Sequence, residues 1–359
     1  MSRLSAPQRA PGYGAAVSRL SIRASVAWLG PGEVVHDAQV VCAGGVITYA
    51  GPATSLDDAD TDLEVDGFVL PAFADRHVHI ELADPGAVLR GGVTAVRDLG
   101  WPAARIFPLA DLSELPSFDG PLIRAAGPML TAKGGYPSRA SWAPEGTAWE
   151  VAGPEEMAAA VGDLASSGAA AIKVSLNAEA GPTPSDAELM AIVEAAHDAR
   201  LPVTTHAQGQ GQVERALGAG VDELAHTPWV RLTDATIRLA ADRLRIVSTL
   251  DITGFGRDTR EQRRALDNLR RFHAAGGTVI YGTDLGNGPV PPGIHRRELD
   301  LLAEAGLDAD EILAACTRAP LAVDAPADLV ALRGDPRTDL AAFEEIALVV
   351  RAGRVILTR

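Results

Sequence analysis

Six side chains that can bind a divalent cation lie on, or directly after, short apolar runs of this sequence. They are His77, His79, Lys173, His206, His226 and Asp284. Residues two positions apart in an extended run point to the same side, so the first two histidines would face one site together. Neutral imidazole and carboxylate are ligands of zinc and similar divalent ions. A single histidine in a strand is more often structural, but the set as a whole predicts a metal site.

Lys173 is unusual because this chain carries nearly all of its positive charge on arginine. The only other lysine is Lys133, and Lys173 lies in the middle of the apolar run AAAIKVSLN. A guanidinium keeps its proton, whereas the amine of a buried lysine can become neutral and nucleophilic. The choice of lysine at this position therefore indicates chemistry. A lysine paired with an acid inside the fold is the alternative.

Eight short apolar runs carry these side chains, and segments of helical periodicity separate the runs. The runs are AFADRHVH, VTAVRDLG, PLIRAAG, AAAIKVSL, PVTTHA, DELAHT, RIVSTL and TVIYGTD. This alternation is typical of repeated βα units, so we predict an α/β fold with a (β/α)8 barrel over residues 71–324. Catalytic groups of such barrels lie at the C-terminal ends of the strands, where the histidines and Asp284 fall.

The helices between the runs have their own signals. In SDAELMAIVEAAHDAR, Ser185 and Glu188 form a predicted capping box before an apolar period. Similar periodicity predicts helices in PEEMAAAVGDLASS, TREQRRALDNLRRFHAA and HRRELDLLAEAG.

Both ends of the chain have strand-like runs without helical periodicity. Residues 18–70 and 325–359 are therefore predicted to form one small β-sandwich domain beside the barrel. Residues 1–17 contain arginines but no continuous apolar run, so we interpret them as a flexible leader and not as a signal peptide.

The composition limits the kinds of partner. A formal net charge of −15 argues against nucleic acid or an anionic membrane as the main partner. A small-molecule substrate is expected instead, and a homo-oligomer is left open. Cys42 and Cys316 are the only cysteines, which gives no disulfide framework and fits a reducing cytoplasm. We find no run that approaches the roughly 18 to 20 apolar residues of a membrane span.

At these residues the chain resembles the amidohydrolase superfamily, and within it the imidazolonepropionase-like and prolidase-like metal-dependent hydrolases. The resemblance covers nearly the whole chain and rests, in order, on LPAFADRHVH, GGVTAVRDLG, AAAIKVSLN, VTTHA, DELAHT, IYGTD, PADLVALRGDP and VVRAGRVI. It implies a distorted TIM barrel with a β-sandwich made from both chain ends. It also implies two divalent metal ions, zinc above all, with manganese or iron as alternatives.

The resemblance further implies a role for each ligand. His77, His79 and Asp284 would hold one ion, and His206 and His226 the other. Lys173 would be carboxylated to N6-carboxylysine and would touch both ions. The expected catalytic residues are Asp284 and Lys173: a hydroxide bridging the metals would attack the substrate, and Asp284 would move its proton to the leaving nitrogen.

The implied reaction is cleavage of an amide bond in a small molecule such as an N-acyl amino acid, a dipeptide or a cyclic amide. A deaminase or imidazolone-type ring hydrolase with one metal is an alternative, against which Lys173 speaks. Hydrolysis of a lactone or organophosphate ester would use the same two-metal centre. A non-catalytic scaffold of the same fold would be expected to have lost ligands, whereas all six positions are filled.

Substrate contacts are expected from the loops after the strands, because fold and metals are shared among many reactions. The loop KGGYPSRASWAPEG, after the third run, offers Lys133, Tyr136, Arg139 and Trp142. Weaker candidates, for which a surface or ion-pair role is at least equally expected, are Arg97, Trp229, Asp251, Arg257, Asn287 and His295.

Overall fold

The structure, a computed structural model of the chain, describes residues 19–54 and 59–359. The leader predicted at residues 1–17 lies outside this part of the chain. The strands in chain order are β1 Arg19–Gly30, β2 Glu33–Ala43, β3 Val46–Pro52, β4 Thr61–Pro71, β5 Phe73–Val78, β6 Val93–Asp98, β7 Leu122–Ala125, β8 Met129–Thr131, β9 Ala148–Glu150, β10 Ile172–Asn177, β11 Val203–Gln208, β12 Glu223–Leu224, β13 Arg245–Val247, β14 Thr278–Ile280, β15 Leu329–Leu332, β16 Ile346–Arg351 and β17 Arg354–Thr358. The helices are α1 Pro85–Arg90, α2 Ala103–Ser113, α3 Pro154–Ser166, α4 Asp186–Asp198, α5 Gln212–Ala219, α6 Asp234–Arg243, α7 Arg260–Ala274, α8 Arg296–Glu304 and α9 Ala309–Cys316.

Strands from both ends of the chain form one seven-stranded sheet, in the order β17-β16-β15-β4-β1-β2-β3. An isolated antiparallel bridge joins Val46, at the start of β3, to Pro326, just before β15. The sheet therefore curls over onto itself. It encloses a core of its own from alternate apolar residues such as Ile22, Val40 and Leu329. This agrees with the predicted β domain built from both chain ends, while its limits at residues 70 and 325 stay a prediction.

The eight predicted apolar runs contain β5, β6, β7, β10, β11, β12, β13 and β14, which pair in parallel in two sheets. Backbone hydrogen bonds link the two sheets on both sides. The nitrogen of Asp284 donates to the oxygen of His77 at 2.8 Å, and that of His79 to Leu285 at 2.7 Å. On the other side the nitrogen of Ala170 donates to Ala125 at 2.8 Å. The eight strands thus surround one interior, as the prediction of a (β/α)8 barrel requires.

Helices cover the outside of this barrel, and their starts follow the predicted signals. Ser185 and Glu188 form the capping box that opens α4, with Glu188 Oε2 accepting from the Ser185 nitrogen at 2.7 Å. Leu189, Ile192 and Ala196 form the buried face of this helix, at the spacing of a single apolar stripe. The predicted helices of the other three segments are α3, α7 and α8. In the described ranges, no helix has both the length and the apolar character needed to cross a bilayer.

Candidate metal centre

The six predicted ligands come together inside the barrel, and all of them are buried. His77 lies near the end of β5 and His79 directly follows it. Their Nε2 atoms lie 3.3 Å and 3.2 Å from Oδ1 of Asp284, which follows β14. The ligand atoms of His77, His226 and Asp284 all lie within 4.8 Å of one another. This group could hold a cation with little rearrangement.

His206 and His226 bring the ends of two further strands to the same place. The ring centres of His206 and His226 are 4.5 Å apart, and those of His226 and His77 are also 4.5 Å apart. His226 therefore lies between the first pair of histidines and His206. How the six ligands divide between two ions stays a prediction.

Three of the imidazoles are held by a second contact at Nδ1. His77 Nδ1 lies 2.7 Å from the carbonyl oxygen of Ala225, and His79 Nδ1 lies 3.1 Å from that of Gly100. His226 Nδ1 lies 3.0 Å from the hydroxyl of Thr249. The carbonyl oxygens fix the tautomer of His77 and His79, since they can only accept, and the hydroxyl holds the ring of His226. The Nε2 atoms of His77 and His79 are left facing the centre as ligands.

Several polar atoms of the centre have no protein partner. Among the described residues, no hydrogen bond is made by Lys173 Nζ or by His206 Nε2, although both atoms are buried. Leaving a buried polar group unpaired costs about 1–3 kcal/mol, so such atoms call for an explanation. Metal ligation would satisfy both of them. The residues present therefore fit a metal centre.

The local environment favours the neutral form of three of the imidazoles and of Lys173, which is the form that ligands need. Burial, with the nearby charge of Lys173, lowers the pKa of His77 well below its usual value and that of His206 to about 3. Burial likewise lowers the pKa of His226, with His77 adding to the effect. Burial also lowers the pKa of Lys173 to about 7. Neutral imidazoles and a neutral amine are the forms that bind metal or react with carbon dioxide.

Asp284 and His79 are shifted towards their charged forms. Burial alone would raise the pKa of Asp284, but His77 and His79 hold it below its ordinary value. Burial opposes the charging of His79 too, yet the contact with Asp284 raises its pKa. The carboxylate is therefore negative at neutral pH, which is the state that attracts a cation.

Two residues beside the imidazoles have a strained backbone. Asp284 has a φ of 57° and Thr249 a φ of 41°, in the left-handed region that favours glycine. Such conformations cost about 1–3 kcal/mol and are concentrated at functional sites. The carboxylate of Asp284 faces the histidines, and the hydroxyl of Thr249 contacts His226.

An ion pair lies below the ligands, towards the N-terminal ends of the strands. Arg97 on β6 reaches across to Glu223 on β12, and Thr204 Oγ1 donates to the same carboxylate at 3.0 Å. Thr204 is the register partner of Lys173 on the neighbouring strand. Arg97 thus belongs to a buried layer below Lys173, and a direct contact between its side chain and a substrate stays a prediction.

Comparison with known proteins agrees with this geometry. Residues 68–356, most of the chain, match the model of the amidohydrolase family. The chain belongs to the amidohydrolase family. It is thus a metal-dependent hydrolase acting on carbon–nitrogen bonds.

Solved structures with a similar fold match this amidohydrolase over nearly its whole length. A proposed prolidase from Bifidobacterium longum is 26% identical, with a TM-score of 0.80 and 94% of each chain covered. A Xaa-Pro dipeptidase with methionine bound in its active site is 22% identical, with a TM-score of 0.80, covering 94% of this chain and 99% of that one. Imidazolonepropionase from Caulobacter vibrioides is 39% identical over 72 residues, and the match spans only 18% of this chain and 18% of that enzyme.

Aromatic rings line one side of the amidohydrolase centre. The ring of Trp142 is 4.5 Å from that of His79, and the ring of Tyr136 is 5.1 Å from that of His206. Trp142 Nε1 donates to Tyr136 Oη at 3.2 Å. Trp229 lies further out, 6.3 Å from His206 between ring centres. Three of the predicted substrate residues therefore border the ligands.

The other predicted substrate residues have different surroundings. Asn287 Nδ2 donates to Asp284 Oδ2 at 2.9 Å, so it touches a ligand. Asp251 and His295 are buried and bind each other, with 2.8 Å between His295 Nε2 and Asp251 Oδ2. The remaining three are exposed: Lys133 and Arg139 on the loop between β8 and β9, and Arg257 after β13.

Two residues that the sequence analysis did not select support the centre. Thr249 positions His226, and the buried carboxylate of Asp98 accepts from the backbone nitrogens of Ile80 at 2.8 Å and Gly100 at 3.1 Å, on either side of His79. Like the ligands, Thr249 and Asp98 are polar residues near the end of a predicted strand. That signal was available in VTAVRDLG and RIVSTL.

Proposed function

We propose that this amidohydrolase cleaves an amide bond of a small molecule at a centre of two divalent ions. The observation that supports this most is the meeting of four imidazoles, Asp284 and Lys173 in one buried place, with Lys173 Nζ and His206 Nε2 left without a hydrogen-bond partner among the described residues. A single ion would leave some of these atoms unused. Zinc suits this set of ligands best, and manganese or iron is the alternative.

Each ligand has a proposed place in the centre. His77, His79 and Asp284 would hold one ion, and His206 and His226 would hold the other. Lys173, carboxylated on its amine, would contribute a ligand to both. Bound ions of this kind polarise a carbonyl and bring the pKa of water from about 15.7 towards 7.

Asp284 is the proposed proton carrier. Its Oδ2 is held by Asn287 at 2.9 Å, while its Oδ1 faces the imidazoles. Because its pKa lies below the ordinary value, the carboxylate is ionised and can accept a proton from the attacking water. It then delivers that proton to the nitrogen that leaves when the amide bond breaks.

Tyr136 is proposed to orient the substrate. Its oxygen accepts from Trp142, so its own hydroxyl hydrogen remains available to donate to a substrate oxygen. Burial raises the pKa of Tyr136, which keeps the phenol protonated. Together with Trp142 and Trp229 it forms an apolar wall with polar edges, suited to a side chain or ring next to the scissile amide.

The substrate class is narrowed by the relatives and by the loop charges. The dipeptidase and the proposed prolidase favour an N-acyl amino acid or a dipeptide, whose free carboxylate Lys133 or Arg139 could bind from the exposed loop. The short imidazolonepropionase match favours a cyclic amide as the second candidate. The net charge of −15 fits a small molecule better than nucleic acid or a membrane.

A substrate panel tests this proposal. N-acyl amino acids, dipeptides, lactams, hydantoin-like rings, lactones and phosphotriesters should be assayed with zinc or manganese present. We expect turnover of an amide substrate and close to two ions per chain by elemental analysis. Turnover of lactones or phosphotriesters alone, or a single ion per fully active chain, would contradict the proposal.

Lys133 provides a control for the modification of Lys173. Since these are the only two lysines, carbon-13 NMR of the folded, metal-loaded protein after incubation with carbon-13-labelled bicarbonate can assign an added carbon dioxide by comparing wild type with the two lysine variants. We expect the addition on Lys173 in wild type and in Lys133→Ala, and its loss together with metal in Lys173→Ala. An unmodified Lys173 in a fully loaded enzyme would refute the bridging role.

A further inference from the structure

A cavity lies at the N-terminal end of the barrel, away from the imidazoles. Its volume is about 340 Å³, and four arginines line it: Arg76, Arg97, Arg124 and Arg318. Ala74, Ala95 and Ala170, close to the starts of their strands, also line it, and their small side chains leave the space open. Such a concentration of guanidinium groups is unexpected in a chain with a net charge of −15.

The arginines are only partly neutralised by carboxylates. Arg97 pairs with Glu223, but the same carboxylate also lies 3.7 Å from Arg245. Arg318 has Asp328 at 3.8 Å, which is long for an ion pair. The carboxylate of Glu223 is thus shared by two guanidinium groups, and that of Asp328 is only weakly paired with Arg318.

Arg124 and Asp75 do not change this balance. Arg124 pairs with Glu114 at the surface. The carboxylate of Asp75, which also lines the cavity, already accepts from the nitrogens of His77 and Thr283 and from the hydroxyl of Thr283. The carboxylate of Asp75 is therefore occupied by these hydrogen bonds and makes no ion pair with a described arginine.

Arg76 has a guanidinium donor that no described acceptor satisfies. Its Nη2 donates to the carbonyl oxygen of Thr317 at 3.1 Å, whereas its Nε is buried without a partner in the described ranges. It makes no ion pair with any described carboxylate. Burial and the charges of Arg97, Arg318 and Arg245 lower the pKa of Arg76 to about 10, so the guanidinium stays charged at neutral pH. A buried donor of this kind is costly unless an acceptor reaches it.

We propose that this cavity binds a small oxyanion, of the class of phosphate, sulfate or a short carboxylate. Planar guanidinium groups bind the oxygens of such anions through paired, charge-assisted hydrogen bonds. An anion here would balance the excess positive charge of Arg76 and Arg318. The site is separate from the metal ligands, but Arg97 and Glu223 connect it to the layer below Lys173.

Calorimetric titration of the metal-loaded protein with sodium phosphate, in chloride buffer of constant ionic strength, tests the site. We expect binding in the millimolar range or tighter. Arg318→Gln should weaken it by about tenfold, the effect of losing one charge-assisted hydrogen bond. Arg76→Gln combined with Arg318→Gln should abolish it. If the double variant does not fold, the single Arg318→Gln variant still decides the matter.

Two further variants locate the bound anion. Arg263→Gln, which removes an exposed arginine paired with Asp258 at the start of α7, should bind phosphate as wild type does. Lys173→Ala, which disrupts the metal centre, should also retain binding. Loss of binding in Lys173→Ala with retention in Arg318→Gln would place the phosphate at the metals and overturn the proposal. Absence of binding up to tens of millimolar phosphate would overturn it too.

Competition experiments then identify the class of anion. Displacement of phosphate by sulfate would favour a tetrahedral dianion, and displacement by acetate would favour a carboxylate. Either result supports the site. Failure of both anions to compete, with phosphate binding unaffected by Arg318→Gln, would assign the phosphate signal to another part of the protein.

Discussion

The two ends of the barrel hold opposite kinds of polar group. At the C-terminal end, four imidazoles and a carboxylate lie close together, and the imidazoles of His77, His206 and His226 are kept neutral by burial. At the N-terminal end, the permanently charged guanidinium groups of Arg76, Arg97 and Arg318 line a cavity. One end is thus built to take up a cation, and the other carries fixed positive charge.

The difference shows how one barrel can separate two electrostatic tasks. Imidazole can give up its proton and accept a metal ion, whereas a guanidinium group cannot. Lys173 lies between the two ends, and its amine can take either form because burial lowers its pKa to about 7. The ion pair of Arg97 with Glu223 forms the boundary below it. Four substitutions test this division.

Lys173→Ala is expected to have the largest effect, with hydrolytic activity below detection and metal content well below two ions per chain. The reason is that carboxylated Lys173 is proposed to contact both ions. Kinetic assays and elemental analysis measure the two quantities. Partial rescue by short carboxylic acids would identify a carboxylate as the missing group, whereas full activity in the variant would refute a role for Lys173.

Asp284→Asn should lower kcat by about 10²–10⁴-fold, the usual contribution of a general acid–base. The amide keeps the shape of the side chain but cannot accept the proton. Steady-state kinetics at saturating metal separates this effect from weaker metal binding. A kcat within a few fold of wild type would assign proton transfer to another group.

Glu223→Gln should destabilise the fold by about 3–5 kcal/mol, because it removes the buried carboxylate and leaves the largely buried side chain of Arg97 without its counter-charge. Urea denaturation measures the free energy of unfolding. The matched control is Glu114→Gln, which breaks the exposed pair with Arg124 and should cost only about 0–1 kcal/mol. Equal losses of unfolding free energy in the two variants would show that the pair of Arg97 with Glu223 stabilises the fold no more than an exposed pair does.

Thr249→Val should weaken metal binding by about 10–100-fold, since His226 loses the contact that orients its ring. Competition with a chelator measures the affinity. Thr227→Val is the control, because that hydroxyl donates at 2.7 Å to the backbone oxygen of Ser248 and not to a histidine. Equal metal affinity in the two variants would show that the contact of Thr249 with His226 does not support metal binding.

Much of the architecture could be predicted from the sequence, because strand and helix periods are local. All eight apolar runs contain barrel strands, and the capping box of Ser185 and Glu188 is present. The position of a polar residue at the end of a run was also informative, since parallel strands share one end. His77 and His206 lie on strands far apart in the sequence and Asp284 follows a third, and the structure brings them together.

Contacts that depend on the three-dimensional register could not be predicted in this way. The acceptors at Nδ1 of His77 and His79 are backbone oxygens, which have no signature in the sequence. The pairing of Arg97 with Glu223 crosses the barrel interior, and it depends on the stagger of strands that are not neighbours. The short strands β8 and β9, which frame the loop of Tyr136 and Trp142, have too few residues to show a period.

The closure of the barrel has a consequence for the newly made chain. The backbone of β5 binds the segment after β14, and the hydrogen bond from the Thr283 nitrogen to Asp75 joins residues 208 positions apart. Contacts this distant carry a large loop entropy and form late in folding. A nascent polypeptide still on the ribosome thus displays two histidines without their aspartate. Full assembly of the ligand set therefore coincides with completion of the ring.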